Sequence, residues 1–465
     1  MHEHPAFFWR NDMKNYFAAN DYRKPLLKLA VPIIIQNLLS SAVSSADVLM
    51  LNFVGQDAIS AVSLASQIST ILFMFYYGLG TGATMLCAQY YGKGDLKAIK
   101  TVQGIAMRVS VLISVLFAGT VLLVPDLVMK IFTNDPVLIT LGCEYLRYVA
   151  AAYLCWGVTE VYLSVLRSVG RVTIAMVMNV MAFSLNIVFN GIFIFGLFGM
   201  PAMGAAGVAL GTTLSRLVEL AGCAAVSLKS KDIKLEVKYL FVHNKALFTD
   251  FCDMAVPALM NDIIWGLAFS VYSVILGHLG SDAVAANSLT TVVRNFGTVM
   301  CFGMASAGGI MLGNLLGEGK EKETKEAASE LMFLTVVSAV LGSVVILVVT
   351  PFVVKYSSLT DTASGYLKVM LLINAYYVFG PAVNTTLICG IFRAGGDSKF
   401  GFKVDCFDMW LYAVPLGLLN AFVFKLPVLW VYFFMCTDEF VKWPWVIAHY
   451  RSGKWLKNIT RENWE

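Results

Sequence analysis

Apolar residues run along this chain in long blocks with short polar breaks between them. The blocks fall near residues 26–52, 59–90, 101–124, 139–165, 172–199, 204–227, 247–278, 283–315, 326–350, 364–391, 400–423 and 426–447. Each is long enough for an α-helix, which needs roughly 20 apolar residues to cross about 30 Å of hydrocarbon. In lipid such a helix satisfies its own backbone hydrogen bonds. The pattern predicts an all-α polytopic membrane protein of about twelve transmembrane helices.

The pattern also repeats. Ala30-Val31-Pro32 returns as Ala255-Val256-Pro257, 225 positions on, and Gly55-Gln56-Asp57-Ala58 returns as Gly280-Ser281-Asp282-Ala283. Gly92-Lys93-Gly94 returns as Gly317-Glu318-Gly319, and Leu166-Arg167-Ser168-Val169-Gly170 as Phe392-Arg393-Ala394-Gly395-Gly396. Internal symmetry of this kind is common in transporters. It predicts two pseudo-symmetric six-helix lobes, an N-lobe over 25–228 and a C-lobe over 247–448. A segment over 1–24 precedes them, a linker over 229–246 joins them, and a tail over 449–465 follows.

Composition agrees with a membrane protein and not with a water-soluble one. The 465 residues are 58% hydrophobic and 14% charged, against about 25% charge in ordinary soluble domains. The basic residues gather on one side of the predicted spans. Arg23, Lys24 and Lys28 lie at the start of the first span, Lys93, Lys97 and Lys100 follow the second, and Lys229 to Lys245 fill the linker. Arg451, Lys454, Lys457 and Arg461 close the chain, while the opposite loops hold Lys130, Lys355, Lys368 and Lys425. The positive-inside rule then expects both termini in the cytoplasm of a multi-pass inner-membrane protein. These charges are scattered over loops, so no nucleic-acid partner is expected. No cleavable signal peptide is expected either. The nine cysteines form no CxxC pair, which argues against a zinc site or a disulfide framework. Histidines are dispersed at ends and loops, so no catalytic constellation is expected and the chain reads as no enzyme.

Charges inside the spans need a reason, because each costs about 2.5–3.5 kcal/mol at mid-bilayer. Asp47 lies 15 residues after Pro32, roughly 22 Å up a helix that enters from the cytoplasm. Asn186, Asn190 and Thr212 fall at a similar height in the same half. An acid, two amides and a hydroxyl at one depth suit a proton or cation site. A partly desolvated carboxylate takes a proton near neutral pH, and the amides and hydroxyl could help an ionised one hold a cation. Asp262 and Glu160 are candidates for a second such site. Arg216 and Glu219, spaced i, i+3, read as a structural ion pair. Asp405 and Asp408, near the cytoplasmic end of their span, read as hydrated. Arg294 either satisfies an acid across the bundle or repels a cation. Gly78 and Gly82 have helix-packing spacing. Pro32 and Pro257 are expected to kink equivalent helices, since each removes a backbone hydrogen bond.

The chain resembles the multidrug and toxic compound extrusion (MATE) transporters of the MOP flippase superfamily, over nearly its full length. The likeness rests on Leu29-Ala30-Val31-Pro32 with Ser45-Ala46-Asp47, and on Ala88-Gln89-Tyr90-Tyr91-Gly92-Lys93-Gly94. It extends through Leu185-Asn186 to Asn190, Gly204-Ala205-Ala206-Gly207 before Thr212, Gly313-Asn314-Leu315-Leu316-Gly317-Glu318-Gly319, and Arg393-Ala394-Gly395-Gly396-Asp397. The resemblance implies a substrate cavity between two six-helix lobes, and export of small organic cations or metabolites by antiport against H+ or Na+. It makes Asp47 the coupling acid. No cofactor is implied, a sodium ion at Asp47 is the one metal expected, and a monomer in membrane lipid is the expected working unit. Three positions depart from the family. Asn190 stands where many DinF-like relatives have aspartate. Trp265 and Ala382 stand where NorM-like relatives have a glutamate and an aspartate. The last two departures argue against a sodium site in the second lobe unless Asp262 substitutes, which favours the DinF-like branch and H+ and leaves Na+ as the other coupling ion. A lipid-linked oligosaccharide flippase of the same superfamily is the alternative reading. It would need several deep cations for pyrophosphate, and Arg216 and Arg294 are the deep ones here.

Overall fold

The computed structural model describes residues 21–52, 54–230, 232–357 and 359–464, with the side chains of 44–49, 51 and 52 outside the description. Every regular element among the described residues is helical. Eleven of the helices are long and apolar enough to cross a membrane. In chain order the helices are α1 (Arg23–Asn52), α2 (Gln56–Lys93), α3 (Leu96–Leu123), α4 (Pro125–Lys130, too short to cross), α5 (Pro136–Ser168), α6 (Val172–Phe195) and α7 (Ala205–Lys229). The linker carries α8 (Val237–Leu240). The second half has α9 (Lys245–His278), α10 (Ser281–Gly317), α11 (Glu321–Tyr356), α12 (Asp361–Phe392) and α13 (Ser398–Val423). The last apolar block is three short pieces, α14 (Val428–Met435), α15 (Asp438–Val441) and α16 (Trp443–Ser452). It breaks where Thr437 turns its hydroxyl back to the Phe434 carbonyl at 2.6 Å. That break matters because Asp438, Glu439 and Lys442 lie in it, all buried.

Local chemistry sets the helix ends. Asp95 caps α3 by accepting the Ala98 N–H at 2.9 Å, and Asp135 caps α5, with Pro136 in its first turn, by accepting the Val137 N–H at 2.8 Å. The repeat appears in the backbone too. Gly94 ends α2 with φ 85°, and its repeat mate Gly319 follows α10 with φ 75°. Both conformations are left-handed, which glycine adopts at little cost. Apolar surface points outward. On α11, Phe333, Val336, Val340, Val344, Val348 and Phe352 form an exposed stripe that would drive aggregation in water and suits lipid.

The helices pack into two compact units. Among the described residues, one contains 35–256 and 461–464, the other 21–34 and 257–460. The cuts fall inside α1 and α9, two residues past Pro32 and directly before Pro257. Neither proline ends its helix. Each repeat therefore contributes the start of its first helix to the unit built from the other repeat. In the first unit α5 packs on α2, α3 and α7, and Ala255 from the start of α9 lies so close to Gly82 that a Cβ there would collide with it. In the second unit Arg23, at the start of α1, meets Glu330 of α11 at 2.7 Å, and α10 packs on α11 and α12.

Candidate functional site

In the first unit, α6 and α7 bring three of the expected site residues together. Asn186 donates from Nδ2 to Thr212 Oγ1 at 3.1 Å, and Asn190 donates from Nδ2 to Asn186 Oδ1 at 3.3 Å. Asn186 and Asn190 are one turn apart on α6 and both are buried. Gly211 makes this approach feasible, because a Cβ there would strike the Asn190 amide. Asp47 lies on α1 and its side chain falls outside the described residues. Met50, three residues further along α1, reaches Gly191, the neighbour of Asn190.

The other candidates sit in ion pairs. Glu160 Oε1 is 2.6 Å from Arg167 Nη2 and near the Ser164 hydroxyl. Glu219 Oε2 is 2.8 Å from Arg216 Nη1 and also accepts from Thr159 Oγ1 at 3.3 Å. The Arg216 guanidinium stands 4.5 Å from the centre of the Trp156 ring, a cation–π contact. In the second unit Asp262 Oδ1 is 3.0 Å from Arg393 Nη2. Arg167 and Arg393 are repeat mates, so equivalent arginines neutralise an intramembrane acid in each unit.

The second unit holds a larger polar cluster that sequence reasoning missed. Lys442 Nζ lies 2.9 Å from Asp405 Oδ1, 3.1 Å from Glu439 Oε2 and 3.7 Å from Asp408 Oδ2. Asn261 joins Asp405 to Arg393, and Asn384 donates to Glu439 Oε2 at 2.6 Å. Asp438 accepts from Tyr272 Oη at 3.2 Å. Asp405 and Asp408 are therefore not hydrated ends of a span. They are 5% and 0% exposed, because α15 and Lys442 cover them. The spacing of Asp438, Glu439 and Lys442 within the twelfth apolar block was the available signal. Trp265 packs edge-on to Phe269 and Ala382 is fully buried. The acids of the cluster come from α9 (Asp262), α13 (Asp405 and Asp408) and α15 (Asp438 and Glu439). Arg294 stands 5.3 Å from the centre of the Phe269 ring. Among the described residues no group of three or more His, Cys, Asp and Glu is arranged to hold a metal ion.

The family model MatE matches twice along this chain, over residues 32–192 and again over 257–419. The chain belongs to the MATE family. Each match lies within one repeat and begins at its proline. The chain is 23% identical to a probable multidrug resistance protein NorM of Thermotoga maritima, over 97% of each chain. It is 22% identical to the Bacillus subtilis transporter YisQ, over 93% of this chain and 95% of YisQ. Among solved structures, it superposes on a MATE protein in its straight conformation with a TM-score of 0.84, at 19% identity over 93% of this chain and 96% of the other. A mutant of the Vibrio cholerae MATE transporter VcmN gives 0.85, at 17% identity over 94% and 98%. MATE proteins are transporters, so this chain is a multi-pass membrane transporter and not an enzyme.

Proposed function

We propose that this MATE protein is a secondary antiporter that exports small organic cations, driven by an inward proton gradient through Asp47. The observation that carries the reading is the hydrogen-bonded string Asn190–Asn186–Thr212 on α6 and α7, in the unit that contains α1 from residue 35 onward. Amides and a hydroxyl that already bond one another orient each other's dipoles, and such a polar setting suits a carboxylate that exchanges a proton. Protonation of Asp47 removes its attraction for a cationic substrate. Transport is then coupled, because the two access states differ in their affinity for proton and substrate. Relatives named for multidrug resistance support a broad, drug-like substrate class. Arg216 is committed to Glu219 and Trp156, which leaves a flippase short of the free cations that a pyrophosphate needs. Both termini lie in the cytoplasm of a cell-membrane protein that works as a monomer in lipid.

The test is efflux of an organic cation from reconstituted vesicles under an imposed pH gradient, and separately under a sodium gradient. The native protein is expected to respond to the pH gradient and Asp47→Asn to lose that response. A response to sodium alone would replace the coupling ion, and unchanged efflux in the variant would remove Asp47 from the mechanism.

A further inference from the structure

The cluster around Lys442 holds more negative charge than its cations can balance. Asp262, Asp405, Asp408, Asp438 and Glu439 face Lys442 and Arg393, and Arg294 adds a third cation at a greater remove. A buried, uncompensated carboxylate is costly and is relieved by a proton or a cation. The position a cation would take is already filled by the Lys442 ammonium. A proton is the ligand that remains.

Hydrogen bonding shows which carboxylate takes it. Asp405 accepts from Asn261 at 2.7 Å, Glu439 from Asn384, and Asp438 from Tyr272 and from the Glu439 N–H at 2.7 Å. Each of these three has a hydrogen-bond donor on its carboxylate, and Asp262 has Arg393 Nη2 at 3.0 Å. Asp408 is 0% exposed and neither of its oxygens has a hydrogen-bond partner. Lys442, 3.7 Å away, has nearer partners in Asp405 and Glu439. Asp408 also opens the π-helical turn Asp408–Ala413 of α13, a widened turn of the kind found at functional sites. The groups facing it are Asp405 on its own helix, Asp438 and Glu439 of α15, Lys442 beyond them, and Tyr272 of α9.

We propose that Asp408 carries a proton at neutral pH and exchanges it with water, forming a second proton site remote in sequence from Asp47. Its use in transport rests on the antiport reading above, whereas its protonation does not. When the proton leaves, Asp408 becomes a fifth anion against Lys442 and Arg393. The cluster that ties α13 and α15 to α9 and α12 must then rearrange. A proton site here gives the second unit an exchangeable acid of its own.

The test is infrared spectroscopy of the purified full-length protein at neutral pH, read at the carbonyl stretch of protonated carboxylic acids. The native protein and Asp47→Asn are expected to share a band that Asp408→Asn loses and that shifts on transfer to D2O. Absence of the band in the native protein overturns the proposal, as does its persistence in Asp408→Asn or a failure to shift in D2O. If Asp408→Asn does not fold, Asp408→Glu must move the band to a new frequency, and an unmoved band overturns the proposal equally. The spectrum needs neither substrate nor gradient, so the antiport reading can fail in the efflux assay while this result stands.

Discussion

At the scale of single residues, the decisive feature is how each buried polar group is satisfied. Asn190 and Asn186 meet Thr212 because residue 211 is glycine. Gly211→Ala places a methyl group against the Asn190 amide, and is expected to cost about 1–3 kcal/mol of stability together with most of the transport. Thermal melting and initial efflux rates check this. Lys442 is the ammonium among Asp405, Asp408 and Glu439. Lys442→Met leaves those carboxylates buried without their cation, and is expected to destabilise by about 3–5 kcal/mol. A melt close to native would show that the cluster already sits neutral without it. At this scale the sequence revealed candidates but not their partners. Asp262 was visible as an intramembrane acid, whereas its pairing with Arg393, 131 positions away, was not. Asp405 and Asp408 looked hydrated because distance along a span says nothing about which helix covers its end.

At the scale of elements, α1 and α9 carry the unusual behaviour. Each runs unbroken through a proline and passes from one compact unit to the other close to that proline. A proline inside a helix removes one backbone hydrogen bond and weakens the ladder there. Pro32→Ala is expected to raise the melting temperature and slow efflux, because a stiffer α1 resists bending. Equal or faster efflux would mean that bending at this point is not used. In the linker, Glu236 lies 2.9 Å from Lys100 and 2.7 Å from Lys238, and these hydrogen-bonded ammonium groups lower its pKa to about 2. The unfolded carboxyl titrates near about 4.3, so the stabilisation is complete above that value and is lost as pH falls through the folded one. Glu236→Gln is expected to cost under about 1 kcal/mol at neutral pH. That cost should fade as melts are recorded at lower pH, and a cost independent of pH would rule out the ion pair as its source. Hydropathy located these elements because apolar length is a local property. It missed the break in the last block because the turn at Thr437 depends on what Asp438, Glu439 and Lys442 meet in α9, α12 and α13.

At the scale of the whole molecule, two repeats yield two compact units, each completed by the opening of a helix from the other repeat. The proposed topology puts both termini in the cytoplasm, so a C-terminal tag in intact cells is expected to be digested only after the membrane is opened, and digestion from outside would invert the topology. Sequence alone determined the helical class, the repeat and the family, because each rests on information local to the chain: apolar length, recurring glycines and prolines, and short motifs in order. Tertiary structure alone decided where α1 and α9 change units, which carboxylates have donors, and that Lys442 is surrounded by acids. Those features come from contacts between residues up to hundreds of positions apart, and burial and hydrogen bonding exist only once such residues have met.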